Sequence, residues 1–149
     1  MGLALRALGH GRRVVVLQFL KDGTSGEIAL LRRCGAEVHA CPNAKFTWLM
    51  TEAERAEARQ HNTATLRIAL DTPFDLLVLD EACAACRHQL VDEALLRQAA
   101  AMAKQGREVV LTGRDPAPWM QEAADYSTEL RAVRHPYTQG IPAREGIEY

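Results

Sequence analysis

A chain of 149 residues, 48% hydrophobic and 25% charged, has the make-up of one globular domain large enough to bury a core. Its formal net charge of −1 excludes partners held by bulk positive charge, such as a nucleic acid or an anionic membrane surface. No apolar run approaches the length of a transmembrane helix and the N-terminus lacks a signal-peptide pattern, so the expected location is the cytoplasm.

In chain order, Gly2 to Gly9 is predicted helical, with Gly9 and Gly11 as its stop and no capping residue before it. Arg12 to Phe19 reads as a buried strand whose polar exit is Gln18 and Lys21. A loop from Asp22 to Gly26, a short helix from Glu27 to Arg33 and a brief strand from Ala36 to Ala40 follow. Cys41 to Trp48 is predicted as a loop carrying Phe46 and Trp48, in a chain only 5% aromatic. Thr51 to Leu70 is Ala- and charge-rich and reads as a long helix, with Thr51 and Glu54 at capping-box spacing.

The chain is organised around Phe74 to Glu81. Four successive apolar residues ending in Asp80 and Glu81 predict a strand buried on both faces, with two carboxylates at its carboxyl end. Open α/β sheets place their ligands there, and carboxylates at that point commonly hold Mg²⁺ against nucleotide phosphates. The plainer alternative is a pair of solvated acids opening a turn. Val91 to Met102 has helical spacing, with Asp92 and Glu93 at the positive end and Gly106 closing it. Glu108 to Thr112 is the next buried strand and runs into Gly113 and Arg114. Pro118 to Ala124 is predicted as a short helix, Tyr126 to Val133 as a last strand and His135 to Tyr149 as an irregular tail. Strands alternating with helices indicate a right-handed, mainly parallel α/β sheet flanked by helices.

The four cysteines include Cys83-Ala-Ala-Cys86, the spacing of a redox or zinc pair. Cys34 and Cys41 do not form a second close pair, and only His39 and His88 stand near. Buried or half-buried thiols are the better reading.

Four segments carry a resemblance: Gly2 to Lys21, Phe46-Thr47-Trp48, Val109 to Arg114, and Arg134 to Tyr149. Ala124 to Arg131 follows the same pattern. In this order they closely resemble the ATP:corrinoid adenosyltransferases of cobalamin synthesis over essentially the whole chain. The resemblance implies a P-loop NTPase-like (RecA-like) fold and transfer of the 5′-deoxyadenosyl group of ATP to the cobalt of a reduced corrinoid, releasing triphosphate. It implies ATP and corrinoid as substrates, Mg²⁺, a flavodoxin-type or other reductant, and a homodimer. Phe46 and Trp48 match aromatics that exclude the lower axial ligand, leaving a four-coordinate Co(II) that is easier to reduce. Ordinary core packing is the plainer reading of both. Asp80 and Glu81 match the acidic pair that manages Mg²⁺, with Glu81 the expected ligand. Arg6, Gln18, Lys21 and Arg114 are the expected phosphate contacts. His135, Tyr137, Arg144 and Glu148 belong to the tail, which is read as part of a subunit or corrinoid-facing surface with no role given to any single residue.

Two departures accompany the resemblance. Family members carry a strand and a G-x-x-x-x-G-K-S/T loop ahead of the segment matching Gly2 to Gly11, and the 149 residues contain no such pattern. The expectation is therefore a chain lacking the first strand and phosphate loop, with weak MgATP binding, little activity and an uncovered sheet edge prone to self-association. A non-catalytic corrinoid-binding homologue is the alternative. The second departure is Ala82-Cys83 in place of the usual Leu-Asn, which removes any polar contact made by that Asn.

Overall fold

The computed structural model describes residues 1–42, 45 and 47–147. Phe46, expected at the site, and Glu148 of the tail lie outside the described residues. Four strands form one parallel sheet in the order β2-β1-β3-β4: β1 Val14–Gln18, β2 Glu37–Ala40, β3 Leu76–Asp80 and β4 Glu108–Leu111. Every residue of the two central strands is buried. Unbroken apolar runs with β-branched residues suit that position, since both faces of a parallel sheet are covered.

Successive side chains alternate across the sheet. Val15, Leu17, Leu77 and Leu79 pack into one layer with Leu66, Ala69, Leu96 and Ala99. These come from α3 (Glu52–Asp71) and α5 (Glu93–Ala101). Val14, Val16, Leu76 and Val78 pack into the other layer with Ala4, Ile28 and Leu31, from α1 (Gly2–Gly9) and α2 (Gly26–Arg33). The connection from β1 to β2 thus crosses one face through α2, and that from β2 to β3 crosses the other through α3. Right-handed crossovers require this swap, because the chain reverses its direction across the sheet. The reversal leaves a switch point between the carboxyl ends of β1 and β3.

The long helix has the expected cap. Thr51 Oγ1 accepts from the Glu54 N–H at 3.3 Å, and Glu54 Oε2 accepts from the Thr51 N–H at 2.9 Å. Asp92 caps α5 through Oδ1, 2.9 Å from the Ala94 nitrogen. No helix among the described residues is long and apolar enough to cross a membrane.

One expected strand is absent, and a helix stands at the paired cysteines. Residues 82–87, where the Cys-x-x-Cys spacing drew attention, form a further helix, α4 (Ala82–Arg87). Cys83 and Cys86 are buried on it, and burial pushes both thiols up. Tyr126 to Val133 is not a strand: Tyr126, Leu130 and Val133 are 95%, 93% and 91% exposed. Its β-branched and aromatic residues favour strands only where a sheet neighbour supplies packing, and none does here among the described residues. The chain leaves α6 (Pro118–Ala123) as an extended arm, with one 3₁₀ turn at Pro136–Gln139.

Candidate functional site

Polar residues begin where the buried strands end. Gln18 stands opposite Asp80 in the β1–β3 register, and both point to the α1/α2 side by the alternation of their strands. Asp80 Oδ2 accepts from Gln18 Nε2 at 3.1 Å and from Lys21 Nζ at 2.9 Å. Its Oδ1 accepts from Thr112 Oγ1 at 2.9 Å. Burial pushes the Asp80 carboxyl up, but the bonds from Lys21, Thr112 and Gln18 outweigh it and hold the group below its ordinary range. Burial likewise opposes the charge on Lys21, and Asp80 more than restores it. Asp80 is therefore ionised and fully engaged by protein donors.

Glu81 differs sharply from its neighbour. Its backbone is left-handed, with φ +61° and ψ +24°, uncommon for a residue with a side chain. The Glu81 N–H donates to Thr112 Oγ1 at 3.1 Å. Among the described residues its carboxylate has no hydrogen-bond or ion-pair partner, and it lines a cavity of about 1100 Å³.

Lys21, Trp48 and Arg114 line the same cavity. Trp48 sits in a 3₁₀ turn, Thr47–Leu49, fastened by Arg55 Nη2 donating to the Thr47 carbonyl at 2.6 Å. Thr47 is buried while Trp48 is 73% exposed, so the turn holds the indole outward on an anchored backbone. Arg114 follows Gly113, whose φ is +134° and where a Cβ would stand 2.9 Å from the Cβ of Cys83. Only glycine permits that approach, which brings the Arg114 turn against α4.

Of the residues singled out in the sequence, Lys21, Trp48, Glu81 and Arg114 meet at the cavity. Gln18 and Asp80 lie behind it as the buried layer that holds Lys21. Arg6 is exposed on α1 and is not among the cavity's lining residues. The sequence reading missed Lys45, Arg87 and His88, cationic or titratable groups on the rim, and Thr112 beneath it. Lys45 pairs with Glu54 and Arg87 with Asp115. Glu145 and Gly146 of the tail also reach the cavity wall. Thr112 alone carried a usable signal, as the polar residue ending a buried strand beside Asp80.

The model of the family described as ATP:corrinoid adenosyltransferase BtuR/CobO/CobP matches residues 1–149. The chain belongs to the ATP:corrinoid adenosyltransferase family. It is similar to the corrinoid adenosyltransferase of Pseudomonas aeruginosa, 38% identical over 154 residues covering 99% of this chain and 75% of the relative. The corrinoid adenosyltransferase of Escherichia coli is 34% identical over 152 residues, covering 99% and 76%. That of Salmonella typhimurium is 35% identical over 158 residues, covering 99% and 76%. The family is one of enzymes, and the parallel α/β sheet fits its P-loop NTPase-like fold.

Within this adenosyltransferase frame, the Ala82-Cys83 departure has a clear structural setting. Both residues are buried in the α3/α5 layer. The Cys83 N–H donates to the Thr112 carbonyl at 3.1 Å, so backbone rather than side chain joins α4 to the end of β4.

Proposed function

We propose that this chain transfers the 5′-deoxyadenosyl group of ATP to the cobalt of a corrinoid, with the triphosphate held at Lys21 and Arg114 and the corrin against Trp48. The observation that carries this reading is the meeting of Lys21, Arg114, Glu81 and Trp48 on one cavity beside the switch point. Lys21 supplies a point charge kept protonated by Asp80, and Arg114 a planar fork suited to phosphate oxygens.

The donor set fits Mg²⁺, which needs only one or two carboxylates when phosphates and waters complete its shell. Glu81, its carboxylate open to the cavity, is the residue that would hold it, with Asp80 behind. When bound, Mg²⁺ would neutralise charge building on the departing triphosphate.

The chemistry balances without a further oxidant. The Co(I) electron pair forms a bond to C5′ of ATP, the C5′–O bond breaks, and its electron pair leaves with triphosphate. A reductant, of flavodoxin type or another, first brings Co(II) to Co(I). On this reading Trp48 would offer the cobalt an apolar face without a lone pair, favouring four-coordinate Co(II), a role that the resemblance extends to Phe46. We assign the reaction to the cytoplasm and to a homodimer.

The test is anaerobic Co–C bond formation followed by visible absorbance, at millimolar MgATP with a strong chemical reductant. Turnover that Glu81→Gln lowers on the order of 10²-fold is the expected outcome. Corrinoid binding with no Co–C bond at any ATP concentration would overturn it and leave a corrinoid-binding protein.

A further inference from the structure

Thr112 occupies a position that neither the sequence reading nor the family resemblance assigns. Four hydrogen bonds meet on this residue. Its Oγ1 donates to Asp80 Oδ1 at 2.9 Å and accepts from the Glu81 N–H at 3.1 Å. Its N–H donates to the Leu79 carbonyl at 3.1 Å, and its carbonyl accepts from the Cys83 N–H at 3.1 Å. Thr112 thereby touches residues 79, 80, 81 and 83, the whole turn from β3 into α4. The two backbone bonds survive any substitution other than proline. The two hydroxyl bonds do not.

What those hydroxyl bonds hold is unusual. Glu81 is one of three non-glycine residues with positive φ among those described, the others being Gln89 and Asp115. A left-handed non-glycine residue is strained and persists only where its surroundings over-determine it. For Glu81 the surroundings are Thr112 Oγ1 on its N–H and α4 beyond it, and the outcome is a carboxylate standing in the cavity. The hydroxyl can accept from Glu81 because its own proton is committed to Asp80. That carboxylate is in turn fixed by Gln18 and Lys21. The chain Gln18 and Lys21 to Asp80, Asp80 to Thr112, Thr112 to Glu81 thus runs from buried β1 to the open carboxylate without a gap.

We infer that Thr112 is a positioning residue for the adenosyl-transfer site: its hydroxyl, oriented by Asp80, sets the left-handed backbone of Glu81 and so aims the Glu81 carboxylate at the cation that accompanies ATP. This inference rests on the proposed role of Glu81. Thr112 touches neither nucleotide nor corrin; it acts through Glu81.

The test uses the full chain with Mn²⁺ and millimolar ATP as the probe, bound Mn²⁺ being counted by electron paramagnetic resonance, in the parent, Thr112→Val, Thr112→Ser and Glu81→Gln. Thr112→Val keeps the shape of the side chain and deletes the hydroxyl, while Thr112→Ser keeps the hydroxyl. Expected is a weakening of Mn²⁺ binding by about 10–100-fold in Thr112→Val, as when an outer partner of a metal ligand is removed, with ATP-independent corrinoid binding unchanged. Thr112→Ser should return Mn²⁺ affinity close to the parent's. A merely structural Thr112 would lower the melting temperature in Thr112→Val without moving Mn²⁺ affinity of the folded fraction, and that result overturns the inference. If Glu81→Gln weakens Mn²⁺ binding while Thr112→Val does not, the Thr112 inference alone falls. If neither Glu81→Gln nor Thr112→Val moves it, or the parent binds no Mn²⁺ with ATP, the Glu81 reading falls and takes this one with it.

Discussion

The site has an inner region and a rim, and they obey different rules. In the inner region Asp80 is buried and meets donors from Gln18, Lys21 and Thr112, one from each neighbouring strand end or its exit. At the rim Trp48 is 73% exposed and the Glu81 carboxylate lacks a partner among the described residues, although each sits on a firmly fastened backbone. The inner donors converge on the Asp80 carboxylate, satisfy it and so contribute to folding. Glu81 is fixed in place with its carboxylate open to the cavity, which is the arrangement expected of a group reserved for ligand. On the proposed reading, adjacent carboxylates serve opposite ends, Asp80 structure and Glu81 the cation.

The comparison breaks most visibly at Asp80. Asp80→Ala strands the buried Gln18 amide and removes the acceptor of Lys21 and Thr112. A loss of about 2–4 kcal/mol in chemical denaturation is expected, whereas Glu81→Gln should stay within about 0.5 kcal/mol of the parent. Equal losses would erase the distinction between the two carboxylates. Next in size is Trp48→Ala, which should change stability by less than about 0.5 kcal/mol while slowing adenosylation on the order of 10²-fold through lost positioning. Its ATP affinity should hold, and the visible signature of four-coordinate Co(II) should disappear. Survival of that signature removes Trp48 from the cobalt face.

Acid sharpens the comparison further. Asp80 is held below its ordinary 3.8 despite burial, by Lys21, Thr112 and Gln18. The Lys45 ammonium brings Glu54 from 4.5 to about 2, and the Arg13 guanidinium brings Asp75 from 3.8 to about 2. Each is a depressed carboxylate, so its contribution is present above the unfolded value and lost as pH falls through the folded one. The melting temperature should fall between pH about 4.5 and about 2, and less steeply in Asp80→Asn. A flat profile across that range contradicts the assignment. Thr51→Ala removes the cap of α3 and should cost about 1 kcal/mol in chemical denaturation.

The inner region was largely legible in the sequence because its cause is local. An apolar run ending in carboxylates signals a buried strand and its ligand end together, and Thr51 with Glu54 signals a helix start. α4 escaped because six residues are too few to show helical periodicity, and the Cys83–Cys86 spacing suggested another use for them. Tyr126 to Val133 misled for the opposite reason: strand-forming residue types are present, but pairing depends on a neighbour that no single stretch encodes. At the rim, Trp48 and Arg114 were reached through family resemblance. His88 and Arg87 come to the cavity only because α4 forms, and Glu145 because the arm returns. Arg6 illustrates the converse, since helical spacing alone does not say which end of a sheet a side chain reaches.

The chain holds two tryptophans, and their settings make the protein its own optical reporter. Trp48 projects into water at the cavity mouth, so its emission is expected to be red-shifted and open to quenching. Trp119 lies with its indole N–H buried and the Arg97 guanidinium 4.5 Å above its ring, against the core beside Met120 and away from that mouth. A corrin seated on Trp48 would drain the emission of one fluorophore by energy transfer at short range and leave the other comparatively bright. Differential quenching between Trp48→Phe and Trp119→Phe would then give the occupancy of the cobalt face directly, with no label and no turnover.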